Sequence, residues 1–172
     1  MSARNMNLNK LLVHHSVVWH CSGDSDEDIF VTQQLRTLLI ANIGYLHPGI
    51  VYEVSNYYNE FDHVIEEDCI ALIGELKRSF DVIEYSDYVL GLSYKYEIAL
   101  QKLFGQYKTI ELDSTYLALS EAGNYTVVTV DDEFAKRFRS FPKCKIIQLK
   151  TLSGAILRQI YGDMLGTVGR NG

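Results

Sequence analysis

The apolar positions fall into short unbroken runs separated by segments in which they return every three to four residues. Leu11 to Trp19 is one such run, rich in valine and closing near Cys21, and it reads as a buried strand. A Ser-Gly-Asp stretch then leads into a helix from about Asp26 to Ala41, where Val31, Leu35, Leu38 and Leu39 fall at i, i+4, i+7 and i+8. Pro48 marks the next boundary, and Gly49 to Phe61 reads as a helix with proline near its start. Cys69, Leu72, Ile73 and Leu76 repeat the helical spacing up to about Ser79, and Phe80 to Tyr85 is a short strand. Ser86 or Asp87 caps a long helix that carries Leu92, Tyr96, Ala99 and Leu103 on one side. Asp113 opens a mostly apolar helix that Gly123-Asn124 stops. A strand over Tyr125–Val130, a helix from Asp132 to about Ser140, a strand over Lys145–Leu149 and a helix over Thr151–Leu165 complete the chain.

Strands that alternate with helices, with no internal repeat, predict a three-layer α/β/α sandwich with a central parallel sheet. At 172 residues the chain forms one domain with one well-buried core, and its ends, residues 1–9 and 166–172, are expected to be flexible. The composition, 47% apolar and 22% charged, is that of a folded protein and excludes collagen, coiled coil or a long disordered tail. A net charge of −6 argues against a general electrostatic grip on nucleic acid, so RNA would need a local basic patch or bound cations. Three cysteines without CxxC spacing (Cys21, Cys69, Cys144) point to buried thiols in a reducing compartment. His14 and His15 interrupt the first apolar run, so no signal peptide or membrane span is expected and the protein is placed in the cytoplasm.

In open parallel sheets, sites form beyond the carboxyl ends of the strands, which directs attention to the acids that follow them. Asp113 and Asp131 each stand at a predicted helix start, where an N-cap contributes about 1 kcal/mol. A capping carboxylate can still offer an oxygen to a metal. Asp113-Ser-Thr-Tyr-Leu-Ala-Leu and Thr129-Val-Asp131-Asp-Glu-Phe134 lie at an interval that, with Pro48-Gly-Ile-Val-Tyr-Glu53-Val-Ser-Asn56 upstream, resembles the PIN-domain family, including VapC-type toxin ribonucleases of toxin–antitoxin pairs. The resemblance runs from about Leu11 to Leu149. It implies a Mg²⁺- or Mn²⁺-dependent endoribonuclease with Glu53, Asp113 and Asp131 as catalytic and metal-binding acids, tuned by hydrogen bonds from Ser16 and Asn56. It also implies an antitoxin protein and RNA as partners, and a homodimer that the tyrosines Tyr57, Tyr58, Tyr94 and Tyr96 could serve. Asp132 reads as a solvated helix start.

The departure lies in the first strand, where the family's leading aspartate is replaced by His14 in Val13-His14-His15-Ser16-Val17. Strand alternation puts His14 and Ser16 on one side and His15, read as a packed core histidine with one hydrogen bond, on the other. His20 beside Cys21 has no matching pair and is not read as a metal site. Two carboxylates about 4 Å apart repel by roughly 4 kcal/mol at an effective dielectric near 20, and a dication cancels that. An imidazole in place of one carboxylate weakens Mg²⁺ and favours Mn²⁺ or a later metal. Alternatively, acids facing His14 raise its pKa, and the protonated ring holds them together without a metal. Two functions follow: a nuclease with His14 as an atypical ligand, or a catalytically inactive domain that binds protein or RNA. A nucleotide-binding flavodoxin-like module lacks both GxGxxG and GK[ST], and a receiver domain lacks its paired acids after the first strand.

Overall fold

The computed structural model describes residues 9–21, 23–50, 74–75 and 78–152. Strand β1 (Asn9–Val13) is followed by helices α1 (His15–Cys21) and α2 (Asp26–Leu39), then by β2 (Asn42–Leu46). After β3 (Asp81–Val82) come α3 (Asp87–Phe104), α4 (Ile110–Gly123), β4 (Tyr125–Thr129), α5 (Asp132–Phe138) and β5 (Lys145–Gln148). The five strands form one parallel sheet in the order β3-β2-β1-β4-β5. The chain steps from β1 to β2 on one side and reaches β4 on the other, so the switch point lies at the carboxyl end of β1.

Side chains on the strands alternate between two cores. Leu11, Val13 and Val128 face a cluster with Val17 and Val18 of α1 and Val31 and Leu35 of α2. Leu12 and Val127 face the opposite cluster, with Tyr96 and Leu100 of α3, Tyr116 and Leu117 of α4, and Phe134 and Phe138 of α5. Both faces are covered, which is the three-layer α/β/α sandwich expected from the alternation of elements.

The first apolar run is not one strand. Pairing ends at Val13, opposite Leu46 and Val128, and the His14 carbonyl accepts from the amides of Val17 and Val18 as the chain turns into α1. The β-branched Val17 and Val18 therefore sit in a helix, because both are fully buried against the α2 side of the sheet. Sequence reading also missed β2, whose Asn42, Gly44 and Tyr45 give no clear alternation. Gly44 is required by close approach: a Cβ there would lie 2.5 Å from the Phe80 ring.

The long helix begins with Ser86 as cap, as expected, but its inner face is Val89, Ser93, Tyr96 and Leu100, while Leu103 is exposed. Asp113 is not a cap: α4 starts at Ile110, and the Asp113 amide already bonds to the Thr109 carbonyl. Asn124, in the left-handed conformation at φ 56°, ends that helix. Asn9, expected to be loose, belongs to β1. The expected helix over 49–61 beyond Ile50, most of the helix over 69–79, the last helix beyond Leu152 and the two chain ends, residues 1–8 and 166–172, lie outside the described residues. Among the described residues, no helix is long and apolar enough to cross a membrane.

Candidate functional site

The ends of β2, β1 and β4 deliver His47, His14 and Thr129 to the α4–α5 side of the sheet. His14 is fully buried. It follows Leu12 in alternation and so faces the same core, where its ring stacks on Phe134 (centroids 4.1 Å) and meets Tyr116 (4.8 Å) and His15 (4.0 Å). Its Nδ1 lies 2.9 Å from the Ser16 hydroxyl and 3.2 Å from that of Thr129, and the Ser16 amide points at the same nitrogen from 3.4 Å. Nδ1 is therefore the acceptor, and the ring proton belongs on Nε2, which has no hydrogen-bond partner among the described residues.

Ser16 hydrogen-bonds on both sides of the junction between β1 and β4. Its oxygen accepts from the Val130 amide at 3.3 Å and lies 3.1 Å from the Thr129 hydroxyl, while Thr129 accepts from the Asp131 amide at 3.0 Å. These bonds join the exits of β1 and β4. They arise from a helical turn rather than from strand alternation, since Ser16 lies in α1. For the same reason His15 is not on the far side of the sheet; it stands against His14.

The electrostatics differ from expectation. Burial first, then the neighbouring charges of His15, His47 and Arg137, hold the His14 pKa well below its ordinary value, so the ring is neutral rather than a cation among acids. Burial likewise lowers His47, to about 3, with His15 adding to the effect. Burial also lowers His15, against the pull of Asp131. His47 accepts the Gly49 amide on Nδ1 (2.9 Å) and therefore donates from Nε2, toward Thr115 Oγ1 (2.5 Å) and the Tyr85 hydroxyl. Its ring stacks on Tyr116 at 4.6 Å. His47 was not singled out by sequence reading; its place directly after a missed strand hid it.

Among the described residues, the cation paired with Asp113 is Arg137. Its Nε donates to Asp113 Oδ2 at 3.0 Å, and the Tyr107 hydroxyl donates to the same oxygen at 3.1 Å. The Asp113 side chain is 4% exposed and that of Arg137 17%, and the guanidinium lies over the Tyr107 ring at 4.5 Å. Burial pushes the Asp113 pKa up, opposed by Arg137 and Tyr107. Neither Arg137 nor Tyr107 was expected. Arg137 lies three residues after the buried Phe134, on the margin of the inner face of α5, and only its partner's position shows that it turns inward.

Asp131 caps α5 through a 2.9 Å bond from the Phe134 amide. Asp131→Ala is expected to lose about 1 kcal/mol, read as a shift in the urea midpoint. Asp132 is exposed and accepts from Gln148. His20 pairs with Asp28 at 2.8 Å, joining α1 to the start of α2. Glu53, Asn56, Tyr57, Tyr58 and Cys69 lie outside the described residues.

A Mg²⁺ or Mn²⁺ site needs several oxygen donors free to converge. Of the two acids described here, Asp113 has Oδ2 held by both Arg137 and Tyr107, and Asp131 has Oδ1 engaged by the Phe134 amide. Among the described residues no group of three or more His, Cys, Asp or Glu is placed to hold a metal ion. The described residues by themselves do not assemble the metal site that the resemblance implies, and Glu53, the third acid it names, lies outside them.

Solved structures share this architecture. The matches include VapBC2 from Rickettsia felis bound to a DNA fragment from the pair's promoter (TM-score 0.65, 13% identity, 82% of this chain and 99% of that one). Another is DNA-bound VapBC from Salmonella typhimurium (0.62, 11% identity, 83% and 100%). A third is VapBC-5 from Mycobacterium tuberculosis, a member of the VapBC family of toxin–antitoxin systems (0.54, 15% identity, 81% and 98%). The chain has the PIN-domain fold of the VapC toxins. No family model matches the sequence, and no curated protein does. At 11–15% identity the likeness to these VapC structures is one of fold.

Proposed function

We propose that this chain is a VapC-like PIN domain that has lost metal-dependent RNA cleavage and acts by binding a protein of the antitoxin kind. One observation carries the reading: Asp113, which the resemblance assigns to the metal, is neutralised in a buried pair by an arginine of the same chain. Neutral His14, standing where the resemblance expects the leading aspartate and packed between rings, points the same way. The net charge of −6 favours a protein partner over RNA. The matched structures include VapBC toxin–antitoxin pairs, which supports a partner of that kind.

The outer face of α3 is the surface best suited to such contact or to a second copy of the chain. Leu90, Tyr94 and Ile98 recur every four residues there and are 50%, 64% and 37% exposed. Tyr96, also expected at an interface, is instead buried against α4, with its hydroxyl donating to Glu121.

An RNA cleavage assay in Mn²⁺, with wild type and Asp113→Asn prepared identically, tests the loss of catalysis. Equal, background-level cleavage is expected from both. Cleavage by wild type that Asp113→Asn abolishes would restore the nuclease reading, with Glu53, Asp113 and Asp131 as its acids and Asn56 in support. For the binding half, calorimetry against antitoxin proteins of the VapB kind should give a measurable Kd with at least one. Leu90→Ser with Tyr94→Ser should weaken it at least tenfold; no binding at all would reject the partner.

A further inference from the structure

We propose that Arg137 is a built-in counter-cation, holding at Asp113 the position that a divalent ion would otherwise take. The inference rests on the metal-free reading above and assigns its cause to one side chain. Three separately delivered groups make the arrangement. Asp113 comes from the first turn of α4, Tyr107 from the loop between α3 and α4, and Arg137 from the last turn of α5. The carboxylate oxygen Oδ2 receives both the guanidinium and the phenol, at 3.0 and 3.1 Å. The guanidinium is held from a second direction by the face of the Tyr107 ring, and Glu133 lies 4.0 Å from Nη1 on the solvent side.

Such a pair is hard to displace. An incoming dication would have to strip a carboxylate of its charge partner and leave a guanidinium, already stacked on an aromatic face, to find another. An arginine cannot be neutralised by deprotonation, so raising the pH does not release the carboxylate from its partner. Histidine protonation is not needed to balance the acid. Nor would removing His14 alone open the locus, because His14 does not contact Asp113 in any hydrogen bond or ion pair of the described residues.

The test is thermal melting with and without MnCl₂, with NaCl at matched ionic strength as control. Wild type should show no Mn²⁺-dependent shift. Arg137→Met, which frees the carboxylate, should gain about 3–6 °C with Mn²⁺ at roughly ten times its Kd. Arg137→Met combined with Asp113→Asn should lose that gain. If Arg137→Met is recovered unfolded, its refolding yield with and without Mn²⁺ is read instead, alongside the melt of Arg137→Gln, which keeps a donor but no charge. Rescue by Mn²⁺ in either supports the proposal. A wild-type shift as large as that of Arg137→Met overturns it, as does an Arg137→Met protein, folded or refolding, that ignores Mn²⁺. Failure here leaves the RNA assay silent, whereas failure of the metal-free reading appears as wild-type cleavage, so the two are distinguishable.

Discussion

Lowering the pH from 7 to 5 is expected to destabilise the protein steeply, by about 2 kcal/mol from His47, with buried His14 acting in the same direction. Both rings are buried and neutral in the native state, where burial keeps their pKa values below the ordinary 6.5. The unfolded chain takes up protons as the pH falls through 6.5; folded His47 does so only near pH 3. Throughout that window the unfolded state binds more protons, so stability is complete above pH 6.5 and drains away below it. His15 adds a smaller share, because Asp131 opposes its burial. Asp113 works in the opposite sense, since its raised pKa lets the native state take a proton before the unfolded chain does. Urea midpoints at pH 7.5, 6 and 5 measure the effect. His47→Gln should flatten the slope by about 1.4 kcal/mol per pH unit. A midpoint unchanged from pH 7.5 to 5 would mean that these rings are not buried as described.

Arg137→Met is the second large effect expected, a loss of about 3 kcal/mol in urea unfolding at pH 7. Breaking a buried pair by removing one partner leaves an uncompensated charge, which costs about 3–5 kcal/mol, and the partial exposure of Arg137 puts this case at the lower end. Adding Asp113→Asn should recover much of that loss, because the stranded carboxylate is then gone. Additive losses in the double variant would contradict a direct pair.

Much of the architecture was legible along the chain. The helices from Asp26 and Asp87 begin where Ser25 and Ser86 cap them, and the Asp131 cap of α5 lies where Thr-x-Asp placed it. Boundaries were misread where residue type and environment disagree. Val17 and Val18 favour strands, yet the sheet partners of β1 stop at Val13 and the chain folds over into α1. Asn42–Leu46 lacks the apolar alternation of a strand, yet Gly44 lets Phe80 lie against it. Asp113, Asp131, His14 and Ser16 could be singled out as candidates from the chain alone. The charge of the candidate site was not legible, because Arg137 and Tyr107 approach Asp113 from other helices and loops, and sequence spacing carries no such information.

The order of elements, their caps and the two faces of the sheet follow from local patterns of apolar and polar residues, because periodicity acts within a few residues. The state of the site was decided only in three dimensions. Whether a histidine is charged depends on what surrounds its ring, and whether an acid is open to a metal depends on what already holds it. Those neighbours, Phe134, Tyr116 and Arg137, come from segments that meet only once the chain has folded.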